Sequence, residues 1–508
     1  MGKNGFLSGS ERLIFLAPAY LFILASAVLT CSYMALGMYM AHPYRFGMAI
    51  LCACFMASQL KHVRTVKDKR LFVLPVIMVG WFILLQVKRG LALSDLDEIG
   101  LFMSVYLFAF PLASLLQDGD KKKALKVFAG AYVAAAALLS LQGILLIFDC
   151  IPALLTDEVY WTGGRLTAFW HPNIVACFLM VGIVFCTTFL AQAKSRRSKV
   201  AYFVLTVLMA VMLALTSCRT VIGITGGYFG SQLFFRLIRR DKKWFLPGVA
   251  AVALLSAVFY WGAMQLYQAN CDLLIEKYTQ QDAEETAPAS ETAAAETSEQ
   301  AKASDGEMVI SGVAAGEPVE APEVQSPIEV DPETGEVKLT TYSPQGTLLG
   351  DLATLNNRSN IWAAAIKAIR ETPSILLWGE QIPGVCVSRF STFTFRHLHN
   401  AWMECLVAMG LVGGLLALLF TLYTAWNCAM VLIKRYQDPW KRNVAILALC
   451  LMAAALMEPY LFYTTFEYHV TNFLFFLCAG YLRHWREEDD RCVWDRLLRR
   501  VSPEKKPK

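Results

Sequence analysis

The chain has 508 residues, 56% hydrophobic and 17% charged, with a mean hydropathy of +0.45. A soluble domain carries roughly 25% charged residues, so a disordered protein, a fibrous repeat and an ordinary cytosolic enzyme are excluded, and an all-α polytopic membrane protein is expected. The net charge of +5 hides two opposed parts: residues 282–336 hold 15 acidic residues against Lys302 alone, leaving 45 basic and 26 acidic residues elsewhere.

Apolar runs of about 20 residues cross a bilayer as helices. Twelve runs are read as spans, near 12–38, 44–60, 71–87, 99–116, 125–148, 168–192, 200–217, 219–238, 244–267, 401–433, 443–460 and 466–482. The first is too long for a signal h-region and no small-residue cleavage site follows it, so it reads as a span. Only Thr216-Ser217-Cys218-Arg219-Thr220 separates the seventh from the eighth. Basic residues in short loops set orientation. The loops 61–70, 117–126, 194–199, 236–243 and 434–442 hold 22 Lys and Arg; the opposite loops 41–46, 88–98, 149–165 and 458–469 hold four. Both termini are therefore expected in the cytoplasm of a plasma-membrane protein, with the basic tail 483–508 on the same side.

The expected organisation is a membrane domain 1–267 with nine helices, a large extracytoplasmic loop 268–400, membrane helices 10–12 over 401–482, and the tail. Within the loop, 268–347 is dominated by the acidic stretch, which has five prolines and no aromatics. Such a composition cannot bury enough apolar surface to fold, so a disordered insert is expected. Order resumes over 348–400, where Asn357 or Ser359 caps a helix whose apolar face is Ile361, Trp362, Ala365, Ile366 and Ile369, stopped by Pro373. This amphipathic helix suits a membrane surface or the roof of a cavity. Most of the 14 cysteines fall in spans as small apolar residues; Cys150, Cys271 and Cys386 fall outside, and their spacing demands no disulfide.

No P-loop, dinucleotide fingerprint, H-E-x-x-H, C-x-x-C or G-x-S-x-G is present. No span carries the paired carboxylates of a proton-coupled carrier, although Glu404 and Glu458 lie near helix ends. Polar residues gather instead in four clusters on the outer face: Gly163 to Asn173, with Arg165; Thr216 to Thr220, with Arg219; Asn356 to Trp362, with Arg358; and Arg396-His397-Leu398-His399-Asn400. Arginine suits bidentate contact with phosphate oxygens, and histidine suits proton transfer near neutral pH. Each cluster has a bland reading. A lone Arg at a helix end snorkels to head groups, Pro172-Asn173 starts a helix, and His397 and His399 are loop residues. Their coincidence on one face argues for a site that takes a phosphate-linked substrate.

These pieces resemble the O-antigen ligase and O-antigen or capsular polysaccharide polymerase family. The resemblance is carried by Arg165, Phe169 and Pro172-Asn173-Ile174-Val175-Ala176; by Thr216-Ser217-Cys218-Arg219; by Arg358-Ser359-Asn360-Ile361-Trp362 followed by Pro373; and by His399-Asn400-Ala401-Trp402 with Gly410-Leu411-Val412-Gly413. The chain departs from the family in having Cys218 between Ser and Arg, Trp378-Gly379-Glu380 in place of a G-x-G turn, Ala408 where an acid often stands, and the acidic insert. The resemblance implies a bacterial membrane glycosyltransferase of the C-type fold. It would work without metal or cofactor and with inversion, on an undecaprenyl diphosphate-linked glycan at the outer face of the cytoplasmic membrane. It further implies Arg219 and Arg358 on the diphosphate and His399 on the acceptor hydroxyl. Arg165, Asn173, Arg396, His397 and Trp362 follow as substrate-binding candidates. The expected partners are the lipid-linked donor, a glycan, lipid or wall acceptor, and the bilayer; no nucleic acid is expected. Ligase and polymerase share this donor chemistry and stay open. A transporter of lipid-linked saccharides is the alternative from another class, predicting repeats and broken midplane helices; a sensor or scaffold is a third.

Overall fold

The computed structural model describes residues 21–22, 24–30, 32–34, 41–63, 73–90, 95–111, 118–147, 161–162, 165–166, 171–286, 328–330, 337–339, 358–391, 397–463 and 468–483. Helix dominates them. In chain order the elements are α1 (Ala41–Val63), α2 (Val73–Lys88), α3 (Asp95–Met103, continued by a π-helical turn Ser104–Ala109) and α4 (Asp118–Ile147). A short hairpin, β1 (Trp161–Thr162) with β2 (Arg165–Leu166), leads into α5 (Pro172–Gln192), α6 (Arg196–Leu215), α7 (Arg219–Arg240) and α8 (Phe245–Thr286). A second hairpin, β3 (Ile328–Val330) with β4 (Val337–Leu339), precedes three helices, α9 (Arg358–Glu371), α10 (Ser374–Trp378) and α11 (Pro383–Ser388). The chain closes with α12 (Ala401–Lys434), α13 (Pro439–Ala455) and α14 (His469–Leu482).

Five helical stretches are long and apolar enough to cross a membrane: Leu125–Leu145, Pro172–Gln192, Arg196–Leu215, Phe245–Leu273 and Ala401–Lys434. Shorter apolar helices lie at Leu24–Met34, Pro43–Phe55, Val73–Lys88 and His469–Leu482. The pattern is that of a multi-pass, mostly α-helical membrane protein, since a helix satisfies most of its backbone groups within the segment where no water can. The interior of the bundle is built by α5, α13 and α14, which are buried along most of their length. By contrast α8 leaves Leu254, Val258 and Trp261 outward, as a lipid-facing helix does.

Polar contacts pin α5 at both ends. At its C-terminal end Asn443 Nδ2 donates to Thr188 Oγ1 (2.9 Å), Gln232 Nε2 donates to Asn443 Oδ1 (3.2 Å), and Arg442 Nη2 donates to Gln232 Oε1 (3.1 Å). This buried cluster joins α5, α7 and α13. The other end of α5 carries the candidate site described below.

Several expectations shift. The eleventh apolar run, read as a span over 443–460, forms a helix that begins at Pro439 and ends at Ala455. Asp438 caps its start by accepting from Trp440 N and Lys441 N, and Pro459 disfavours helical backbone at the residue before it. Glu458 therefore sits in a turn beyond the helix. In the region read as disordered, α8 runs on to Thr286 and strands β3 and β4 pair antiparallel. Residues 287–327 lie outside the described residues. Helix α9 begins at Arg358, so Ser359 is inside it rather than its cap, and Asn357 lies outside the described residues. Its buried face is Ala364, Ala365 and Ala368, with Ile361 and Ile369 packed alongside, while Ile366 points outward. That face packs on α10, α11 and the start of α12 through Ile375, Val387, Leu398 and Val407.

Helix α12 is broken at Gly410, whose φ of 67° and ψ of −169° are not helical. The break frees three carbonyls, and each has a donor: Glu380 N on Val407 O (2.7 Å), Arg89 Nη2 on Ala408 O (2.7 Å) and Trp81 Nε1 on Met409 O (2.7 Å). Gly379, with φ 64° and ψ −176°, makes this possible. A Cβ there would lie 2.1 Å from Ala408 O, and one at Gly410 would lie 2.8 Å from Leu376 O. Both backbones occupy a region essentially restricted to glycine, costing a side chain about 1–3 kcal/mol before any clash. Gly379→Ala and Gly410→Ala are expected to lower the thermal midpoint of the detergent-solubilised protein clearly. Gly223→Ala, in α7 with nothing within 4 Å of the added Cβ, is expected to leave it unchanged or slightly raised.

Candidate functional site

The chain between α6 and α7 cannot continue as helix. Thr216 turns its hydroxyl back onto Leu213 O (2.7 Å) and accepts from Cys218 N (3.3 Å), an alternative to the helical ladder that threonine offers readily. Ser217 takes φ 52°, and α7 then starts at Arg219 with no side-chain cap from Cys218. Beside this turn lies a pocket of about 190 Å³. Its wall is made by Ser217, Cys218, Arg219 and Thr220, by Arg165 from β2, by Asn173 from α5, by Arg358 and Ile361 from α9, and by His399 just before α12.

Four helices, α5, α7, α9 and α12, thus begin at one pocket. A helix N-terminus carries partial positive charge and amides short of partners. Three guanidinium groups add to that field. Arg165 is held by Nε donating to Thr216 O (2.9 Å) and Nη2 donating to Asn173 Oδ1 (3.5 Å). Such an arrangement of side chains and helix ends can hold an anion.

Behind the wall, one carboxylate organises the cations. Glu458, 2% exposed, accepts from Asn173 Nδ2 (2.7 Å) and Arg358 Nη2 (2.6 Å) on Oε1, and from His399 Nδ1 (3.0 Å) on Oε2. Burial pushes the Glu458 carboxyl up, but the hydrogen bond and charge of His399, with Arg358 and His171, outweigh it and hold it below its ordinary value. An ionised carboxylate only accepts, so the tautomer of neutral His399 follows from its partner: Nδ1 carries the proton and Nε2 keeps a lone pair. His399 also takes φ 50°. Left-handed backbone outside glycine is uncommon and collects at functional sites. Among the described residues it occurs at Ser217, His399 and Phe462, the first two in the pocket wall and the third in the turn that carries Glu458.

The sequence candidates separate into three groups. Arg165, Asn173, Arg219, Arg358 and His399 come together in the wall. Trp362 and His397 do not line it. Trp362 Nε1 donates to Leu398 O (2.9 Å), and His397 packs edge-on against Tyr468 and approaches Glu404 Oε1 at 3.5 Å. Glu404, itself buried, accepts from Leu398 N (2.7 Å). These contacts hold the 397–400 loop from behind. Arg396 lies outside the described residues, as do Cys150 and most of 149–165. Cys271 and Cys386 are free thiols. Cys218 is no nucleophile: burial and the charge of Glu458 push its thiol up to about 12, so it stays protonated at neutral pH.

Glu458 is the residue of the candidate site that sequence reasoning did not select. Its signal is a lone carboxylate in an otherwise apolar stretch, a placement that is costly unless the charge is used. Only the fold shows that Asn173, Arg358 and His399 converge on it. Comparison with protein-family models, with curated proteins and with solved structures finds no match.

Removing one partner of a buried ion pair costs about 3–5 kcal/mol, so Glu458→Gln is expected to lower stability sharply while Lys367→Gln, an exposed residue with Glu371 at 3.9 Å, does little. The pH dependence has a fixed sign. A carboxylate lowered in the folded state contributes stability above its unfolded value, and that contribution is lost as pH falls through the folded value. Thermal midpoints measured from pH 7 downward should hold until the pH drops to the ordinary carboxylate range, then fall, and this acid step should be missing in Glu458→Gln.

Proposed function

We propose that the chain is a membrane glycosyltransferase of the O-antigen ligase or polymerase type. It would transfer a glycan from an undecaprenyl diphosphate donor to an acceptor hydroxyl at the outer face of the cytoplasmic membrane. The observation that carries this reading is the meeting of Arg165, Arg219 and Arg358 with a carboxylate-oriented His399 in one pocket at the starts of four helices.

The chemistry assigns each group a step. Arg219 and Arg358 bind the diphosphate and stabilise the negative charge that grows on it as the bond between the anomeric carbon and the phosphate oxygen breaks. Arginine can take the place of a divalent cation here because its charge is fixed at any relevant pH. The acceptor hydroxyl attacks the anomeric carbon from the opposite side, with inversion. Its proton passes to His399 Nε2, and Glu458 stabilises the imidazolium through Nδ1. Undecaprenyl diphosphate leaves with the electron pair of the broken bond. Arg358 shares Glu458 with His399, so one carboxylate sets both the leaving-group cation and the base.

The rival reading, a carrier of lipid-linked saccharides, calls for broken helices whose free backbone groups meet cargo. The break at Gly410 offers none of this kind: Glu380, Arg89 and Trp81 take its carbonyls.

The test is transfer from an undecaprenyl-diphosphate oligosaccharide by the purified chain in proteoliposomes. Release of undecaprenyl diphosphate with glycan growth identifies a polymerase; transfer to a distinct acceptor identifies a ligase. Arg219→Ala and Arg358→Ala should each lower turnover by about 10²–10³, and His399→Ala by about 10²–10⁴. Full transfer by well-inserted arginine variants, or movement of donor across the bilayer with no bond change, would overturn the reading.

A further inference from the structure

The α10–α11 pair has two apolar faces. One is packed: Ile375, Pro383 and Val387 are buried against α9 and α12. The other is open: Leu377 is 64% exposed, Ile382 55%, Val385 49% and Trp378 37%. Water is a poor medium for both faces of so small an element, and a concentrated apolar patch marks an interaction surface.

The position of the pair along the bundle is fixed by short contacts. Trp378 stacks on Trp81 of α2, with ring centres 6.2 Å apart and planes at 12°, and Lys88 Nζ lies 3.7 Å from the Trp378 ring centre. Gly379 abuts Ala408, and Glu380 N donates to Val407 O. The patch is therefore level with the break at Gly410. Beyond that break, residues 411–434 measure about 36 Å at about 1.5 Å per residue, slightly more than the roughly 30 Å of a hydrocarbon core. Gly410 thus falls near the edge of that core. Tryptophan and long cationic side chains gather at this boundary, and Trp81, Trp378, Lys88 and Arg89 stand there.

The outward side of α12 just below the break is apolar too, with Leu411, Leu415 and Leu419 exposed, and so is that of α2, with Leu84 and Val87. The patch on α10 and α11 adds to this outward apolar band at the level of the break. We infer that residues 374–388 form an interfacial wedge whose Leu377, Trp378, Ile382 and Val385 sit in the head-group and upper acyl region of the bilayer. The partner is the lipid leaflet on the side of the candidate site. The wedge fastens α9, and with it Arg358, to the membrane surface. This inference depends on the membrane reading of the fold and not on the proposed reaction, and activity is not its readout.

The experiment uses the full chain in vesicles of phosphatidylethanolamine and phosphatidylglycerol. One sample contains a phospholipid with a photoactivatable carbene group high on its acyl chain, and a parallel sample receives a water-soluble carbene reagent. Trypsin cuts after Arg370 and Arg389, so mass spectrometry reads the wedge in one peptide. The lipid reagent is expected to label that peptide as it labels α12, and the water-soluble reagent to leave Leu377 and Ile382 unmodified. The exposed double variant Leu377→Glu/Ile382→Glu should lose the lipid label while the label on α12 persists. Labelling of the wedge by the aqueous reagent alone would overturn the inference. Protection from both reagents would overturn it as well, since a protein partner or a second copy would then cover the patch.

Discussion

The buried carboxylate of Glu458 is the contact on which the arrangement of the site depends. It lies in the turn after α13 and receives hydrogen bonds from α5, α9 and the loop before α12. Those elements are far apart in the chain, and Glu458 is their common partner. Burying a charge is costly unless it is paired and hydrogen-bonded; with three donors the cost is met locally, and the carboxylate is held ionised. The converse also holds. Arg358 and His399 are cations, or potential cations, gathered where helix ends already make the potential positive, and Glu458 lets them approach one another. Arg165 and Arg219 stand on the pocket side of that carboxylate, in the wall with Arg358 and His399.

Strain and scaffold are linked in the same way. His399 and Ser217 hold left-handed backbone that their side chains disfavour. Ser217 N donates to Ala214 O (3.0 Å), and His399 is clamped through its neighbours: Leu398 N by Glu404, Leu398 O by Trp362, and the helix start after His399 by Asn400, whose Oδ1 accepts from Trp402 N and Met403 N. Trp362 and His397 thus act on the pocket through the loop they support. A second clamp works further along α12, where Gly379 abuts Ala408, Gly410 abuts Leu376 and Leu377, and the donors Arg89, Trp81 and Glu380 lock the α9–α11 unit to α2 and α12. Arg358 at the start of α9 is placed by that lock and by Glu458 together.

Much of this was legible in the residues. Apolar runs located the helices, because in lipid a backbone has few other ways to satisfy its polar groups; the interruption at Thr216 to Thr220 was visible as a break in hydropathy. Arg165, Asn173, Arg219, Arg358 and His399 could be singled out by type and by their position at the ends of apolar runs. Trp362 and His397 were indistinguishable from them on those grounds, since a side chain that supports a loop and one that meets a ligand have the same chemistry. Of the two caps offered for α9, Ser359 falls inside the helix and Asn357 lies outside the described residues; Ile366 fits a helical wheel either way, and packing on α10 to α12 chose the alanine face.

What the sequence determined alone was the medium and the kind of chemistry. A charged fraction this low commits the chain to membrane helices, and fixed cations at helix ends are groups that suit anionic ligands. The tertiary structure decided which of those cations share one pocket, that Glu458 stands behind them, and that His399 presents Nε2. The reason is range. Hydropathy and helix capping act over a few residues and can be read locally. The bonds from Glu458 cross 59 to 285 positions of chain, and nothing in the local pattern at either end specifies the other.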